Sequence, residues 1–118
     1  MRKRLLFLAL SAWLANPAHA ASVSRSFDVT NATGRAIGHL YVSPGGQSSW
    51  STDVLGEGAL TDGQSRRVTF NADEAQDEWD LKTVYTDGEE VVWQNYKLPK
   101  IRRLILKYER EHPSAATR

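Results

Sequence analysis

Along most of this chain, apolar and polar residues alternate with a period of two, the pattern of a half-buried β-strand. Residues 24–30 (SRSFDVT) place Phe27 and Val29 on one face. Residues 37–42 (IGHLYV) and 66–70 (RRVTF) repeat the pattern, the latter with Val68 and Phe70 inward. Residues 79–85 (WDLKTVY) alternate most clearly, with Trp79, Leu81, Thr83 and Tyr85 together. Asp87-Gly88 then turns the chain into residues 91–96, which predicts a hairpin with a primed turn. Residues 100–109 fit two periods. Leu104, Leu106 and Tyr108 alternate as in a strand, whereas Ile101, Leu104, Ile105 and Tyr108 match a helical face. A strand is the expected form, because an antiparallel sheet needs a partner there.

Turn residues separate these runs. Asn31-Ala32-Thr33-Gly34, Ser43-Pro44-Gly45-Gly46 and Leu60-Thr61-Asp62-Gly63 are rich in Asn, Asp, Ser, Pro and Gly, which hydrogen-bond locally, fix φ or tolerate positive φ. Residues 48–56 (SSWSTDVLG) read as a short helical turn in the longest loop, capped by serine and closed by Gly56. Acidic residues 71–78 read as a solvated connection, and residues 112–118 as a disordered tail. About six short strands joined by Gly-containing turns imply an all-β fold, a small antiparallel sandwich or barrel.

Residues 1–20 depart from this pattern. Arg2, Lys3 and Arg4 precede an apolar stretch from Leu5 to Ala15, and Ala18-His19-Ala20 supplies small residues where a signal peptidase cuts. The expectation is a signal peptide cleaved after Ala20, export by the general secretory route, and a periplasmic or secreted protein. The β-domain then spans residues 21–110, followed by the tail over residues 111–118. The apolar stretch is shorter than the ~20 residues of a membrane span.

Removing this segment changes the charge. Three of the 15 basic residues lie in it, leaving 12 against 14 acidic residues in a 98-residue chain, a net charge of −2. That removes the support for nucleic-acid binding. There is no cysteine, which excludes disulfides, thiol catalysis and a lipobox anchor. A small exported domain without disulfides must be stable through packing alone.

The order of several short motifs carries a resemblance. Asn31-Ala32-Thr33-Gly34, Leu40-Tyr41-Val42-Ser43-Pro44, Trp50, Asp53-Val54-Leu55-Gly56 and Trp79-Asp80 follow one another. In this the chain resembles a group of small exported bacterial β-sandwich domains of unassigned function. The resemblance implies the fold and the compartment. Members often place a cysteine just before the W-D pair and another in the last hairpin. Glu78 and Tyr96 stand near those places here, which implies that the disulfide is absent. Some relatives bear an argininosuccinate lyase label. That reaction resembles the work of a much larger helical enzyme, and nothing in this chain matches such a site.

Candidate chemistry is sparse. His39 is a possible general base with a serine and an aspartate, but no nucleophile elbow accompanies it. Asp53, Glu57 and Asp62, and the acidic run from Asp73 to Asp80, offer oxygen ligands for calcium without EF-hand spacing. Asp62 and Asp87 read as turn residues, and Asp53 as a local backbone acceptor. Asn31-Ala32-Thr33 formally matches a glycosylation acceptor. Trp50 reads either as a lid packed over Val54 and Leu55 or, with Asp53 and Tyr41, as the candidate ligand-binding group, where a sugar or peptide would stack. Lys100, Arg102, Arg103 and Lys107 form the expected partner face, and equally the charges that guard an apolar edge strand.

These features together predict an exported, disulfide-free, non-catalytic binding or interaction module of the bacterial envelope. Its expected partner is an envelope protein or small ligand, with no catalytic residue, no metal site, no cofactor and no nucleic acid. The alternatives are a small periplasmic enzyme using His39 or loop carboxylates, and an assembly component that pairs through an edge strand.

Overall fold

A computed structural model describes residues 22–73, 75–109 and 112–117. The expected signal peptide lies outside these residues. The chain forms seven strands: β1 (Ser22–Ala32), β2 (Ile37–Pro44), β3 (Ser65–Asp73), β4 (Trp79–Tyr85), β5 (Glu90–Tyr96), β6 (Arg103–Glu109) and β7 (His112–Thr117). They build two sheets, one ordered β3-β1-β6-β7 and the other β2-β4-β5. All pairings are antiparallel except β1 with β6, which run parallel. The fold is all-β, and its single core lies between the sheets.

Alternation explains which side chains meet. Phe27 and Val29 of β1, Val68 and Phe70 of β3, and Leu104 and Leu106 of β6 are buried on one inner face. Leu40, Val42, Leu81, Tyr85 and Trp93 face them from the other sheet. Phe70 meets Trp79 edge-on at 5.1 Å and Phe27 at 6.0 Å, so aromatic rings join the sheets. Trp93 buries its indole and donates Nε1–H to the Thr83 hydroxyl at 3.3 Å. Leu55, Leu60 and Leu98 complete the core from the connections. The chain has no cysteine and so no disulfide, and packing, hydrogen bonds and ion pairs hold the sandwich.

Four local expectations change. Residues 48–56 contain no helical turn; the short helix, a 3-10 turn, lies instead at Leu98–Lys100. The long loop runs along the open edge of β2 and mimics a strand. Ser51 N–H donates to Val42 O and Val54 N–H to Leu40 O, both at 2.8 Å. In return, Val42 N–H donates to Ser51 Oγ at 3.1 Å and Leu40 N–H to Asp53 Oδ1 at 3.0 Å. Side-chain oxygens thus replace strand carbonyls, satisfying an edge that would otherwise recruit another chain.

The β4–β5 hairpin closes without a primed turn. Gly88 N–H donates to Tyr85 O at 2.8 Å, and of the turn residues 86–88 only Gly88 takes positive φ, at 95°. This is a type I turn followed by a left-handed glycine, the geometry that restores strand twist after a longer loop. Part of the acidic connection, Asn71 to Asp73, continues β3. The expected disordered tail forms β7, antiparallel to β6. That placement also resolves the ambiguity of residues 103–109: with β1 on one side and β7 on the other, β6 is a central strand.

Candidate functional site

The loop that covers β2 presents Trp50 beside the outer face of the three-stranded sheet. Tyr41 lies on that face and pairs in register with Lys82 of β4. The Lys82 ammonium sits 5.0 Å from the Trp50 ring centroid and 5.3 Å from that of Tyr41. A cation at this range is drawn to the negative ring faces. His39 stacks on Tyr41 at 6.2 Å, two residues along the same strand face. Val92, paired with Lys82 on the far side, is the exposed large hydrophobic residue among the described ones. The result is a partly aromatic patch around one lysine, spread over all three strands.

Asp53 joins this region but serves the scaffold. Its Oδ1 accepts N–H groups from Leu40 and Leu55 at 3.0 and 2.9 Å, and its Oδ2 meets His39 Nδ1 at 2.8 Å. Both oxygens are engaged, so Asp53 has little left for a ligand. The His39–Asp53 pair resembles the orienting half of a catalytic triad. Among the described residues, no hydroxyl hydrogen-bonds to the other His39 nitrogen, which is where a nucleophile would stand. Trp50, Tyr41 and Asp53, named together from the sequence, lie in one region, and Lys82, which is not singled out from the sequence, joins them through strand register.

Beneath the same loop a groove of about 590 Å³ separates the β2 edge from β3. Val42, Val54, Phe70 and Trp79 form its apolar wall, and Ser51 and Asn71 its rim.

The acidic residues considered for calcium are dispersed. Asp62 Oδ1 accepts Gly34 N–H at 2.8 Å, and Asp73 Oδ1 accepts Ala75 N–H at 2.9 Å. Asp80 is buried and binds two amides, Gly46 N–H at 3.0 Å and Asn95 N–H at 3.1 Å. Asp77 faces Lys100 at 3.2 Å and Lys97 at 3.6 Å, and the Lys100 hydrogen bond holds its carboxyl below the usual range. No group of three His, Asp or Glu that would hold a metal gathers among the described residues.

The basic residues divide. Lys100, Arg102 and Arg103 line a cleft of about 730 Å³ on the outer side of the four-stranded sheet, together with Arg67 of β3. Lys107 does not join them. It pairs with Ala32, while Arg103 pairs with Asp28, four residues earlier on each strand. That spacing is about 13 Å along β6. Arg67 was not singled out from the sequence, because its neighbour Arg66 looks identical there. Arg66 turns the other way and donates to the carbonyls of Leu55, Gly58 and Ala59, closing that loop.

A second polar device lies at the hairpin end. Arg35 grips Glu89 at 2.7 Å and Asp87 at 2.6 Å, with its guanidinium 3.9 Å above the Tyr85 ring. Glu89 N–H and Arg35 keep the Asp87 carboxyl below its ordinary range. The hydrogen bond to Glu89 in turn raises the Arg35 guanidinium. The Tyr85 hydroxyl is buried without a hydrogen-bond partner. The nearby Thr33 hydroxyl already donates to Asn31 Oδ1 and accepts from Arg35 N–H. An unmet hydroxyl costs free energy, so Tyr85→Phe is expected to stabilise the domain by about 1 kcal/mol, read as a higher urea midpoint. Burial also raises the Tyr85 phenol above its usual 10.0. The folded state favours the neutral phenol, so its contribution is intact below that pH and fades as pH rises through the raised value. The Phe variant removes that loss.

No helix among the described residues is long and apolar enough to cross a membrane. Comparison with family models, curated proteins and solved structures finds no match to this chain.

Proposed function

We propose that the mature chain is an exported, non-catalytic binding module of the bacterial envelope. Its ligand engages the outer face of the three-stranded sheet at Tyr41, Trp50 and Lys82. The observation that carries this reading is the Lys82 ammonium suspended between two aromatic rings. Aromatic faces accept the flat apolar side of a sugar ring, and the ammonium pairs with an acid on its rim. A carbohydrate that carries a carboxylate fits both features. Export rests on the basic, apolar and small-residue order of residues 1–20.

The test is a calorimetric titration with a disaccharide containing N-acetylmuramic acid, set against its neutral N-acetylglucosamine counterpart. The acidic sugar is expected to bind more tightly, and Trp50→Ala to remove binding of both. Lys82→Met keeps the apolar stem, and is expected to weaken the acidic sugar about tenfold while changing the neutral one little. Equal affinity for both sugars, or indifference to Trp50→Ala, contradicts the proposal.

The His39–Asp53 pair favours a second reading, a small hydrolase. Under that reading the sugar is turned over and His39→Ala abolishes turnover. Under the binding reading the sugar is recovered intact, with wild type and His39→Ala alike.

A further inference from the structure

The cleft on the opposite sheet has a separate chemistry. Three neighbouring strands bring their side chains into one row. In register, Asp28 of β1 pairs with Arg67 of β3 on one side and with Arg103 of β6 on the other. The two arginines therefore stand about 10 Å apart at their backbones, two strand spacings. Arg102 is fixed at the same level, because its carbonyl accepts Asp28 N–H at 2.8 Å. Lys100 closes the cleft from the 3-10 turn.

The charges do not balance. Four cations line the cleft against one carboxylate, Asp28. That carboxylate meets Arg67 Nε at 3.3 Å, which leaves the outer guanidinium nitrogens of Arg67 outside this pair. Among the described residues, no carboxylate forms an ion pair with Arg102 or Arg103. Lys100 shares Asp77 with Lys97. The mature chain is net acidic, so this local excess is a concentration of positive charge against the overall trend. Its volume of about 730 Å³ lies in the range of small-molecule sites.

We propose that this cleft binds a phosphate-bearing ligand, with Arg67, Arg102 and Arg103 as forked donors and Lys100 as a point charge. Arginine forks match phosphate oxygens in pairs, and a phosphate carries more charge in a small volume than a carboxylate does. The chemistry is shared by a free diphosphate and an anionic lipid headgroup, and the experiment separates the two. The site is independent of the sugar-binding face on the other sheet.

The full mature chain is titrated calorimetrically with inorganic pyrophosphate, and separately by sedimentation with phosphatidylglycerol vesicles and with phosphatidylcholine vesicles. Salt is held at about 0.15 M, where distant charges are screened. Binding of pyrophosphate without vesicle binding assigns a soluble ligand. Selective binding to phosphatidylglycerol vesicles assigns a headgroup. In either arm, Arg103→Gln is expected to weaken binding at least tenfold, with an unchanged thermal midpoint. Asp28→Asn, which removes the competing carboxylate, is expected to tighten it several-fold. Lys107→Gln, on the same strand but outside the cleft, is expected to change it less than twofold. Failure to bind either probe overturns the proposal. So does a loss with Lys107→Gln equal to that with Arg103→Gln, because attraction would then follow general charge.

Discussion

Replacing Asp80 by alanine is expected to destabilise the domain by about 3 kcal/mol, seen as a lowered urea midpoint with an unchanged slope. Asp80 is only 4% exposed, and it sits at an irregularity in the β4–β5 ladder. Its two oxygens hold amides from two separate segments, Gly46 after β2 and Asn95 near the end of β5. Asn95 adopts a φ of 71°, which a non-glycine residue keeps only when its surroundings impose it. Hydrogen bonds to an ionised acceptor contribute about 1.5–3 kcal/mol each, so losing two that lie at one anchor is costly. Asp80→Asn provides the finer test. It keeps the shape but turns an N–H₂ group toward one of the two amide donors. It is expected to cost nearly as much as alanine. A cost below about 0.5 kcal/mol for both variants would show that the two loops hold themselves.

Asn31→Ala is expected to cost a similar amount, about 3 kcal/mol. The side chain is fully buried and uses all its capacity. Its N–H₂ donates to Arg35 O at 2.6 Å and Leu60 O at 2.9 Å, and its Oδ1 accepts Thr33 N–H at 3.0 Å and the Thr33 hydroxyl at 2.7 Å. It therefore ties the β1–β2 turn to the strand-like bridge between Ile37 and Leu60. Asn31→Asp is expected to be worse than alanine near neutral pH, because it aims a buried carboxylate at two carbonyl oxygens. The Asp variant should recover stability as the pH falls and the carboxyl gains a proton, while the alanine variant should not. The same geometry bears on the glycosylation motif. With both amide hydrogens donated inward, Asn31 offers nothing to a modifying enzyme once folded.

The strands that bury one face on a regular period were legible. WDLKTVY announces β4, and the position of the turn and the return strand follow, though not the turn's type. What escaped depends on pairing between distant segments. HPSAAT has little strand character alone, with a proline near its start and small residues after it. It becomes β7 because β6 presents a free edge, and an edge strand tolerates proline. Residues 51–54 look like a turn because serine and aspartate favour turns. Their oxygens instead complete the hydrogen bonding of β2, 9 and 13 residues away.

The candidate sites divide along the same line. Trp50 and Tyr41 are named from the sequence as candidate stacking residues. Lys82 belongs with them only through the β2–β4 register. Arg67 and Arg103 flank Asp28 of β1 from opposite sides, one through the antiparallel pairing with β3 and the other through the parallel pairing with β6, and no local pattern encodes that row. The conspicuous carboxylates, Asp53 and Asp80, turn out to serve the backbone. Short motifs around them therefore report on architecture more than on chemistry.

Under the proposed function, sugar binding belongs to the outer face of the three-stranded sheet. The most direct measurement is an amide and indole NMR titration of residues 21–118 with the carboxylated disaccharide. The predicted result is a set of shifts confined to His39, Tyr41, the Trp50 indole, Lys82 and Val92, with β6 and Arg67 unmoved. Shifts centred on Arg67 and Arg103, or no shifts at Trp50 and Lys82 at saturating sugar, would contradict it.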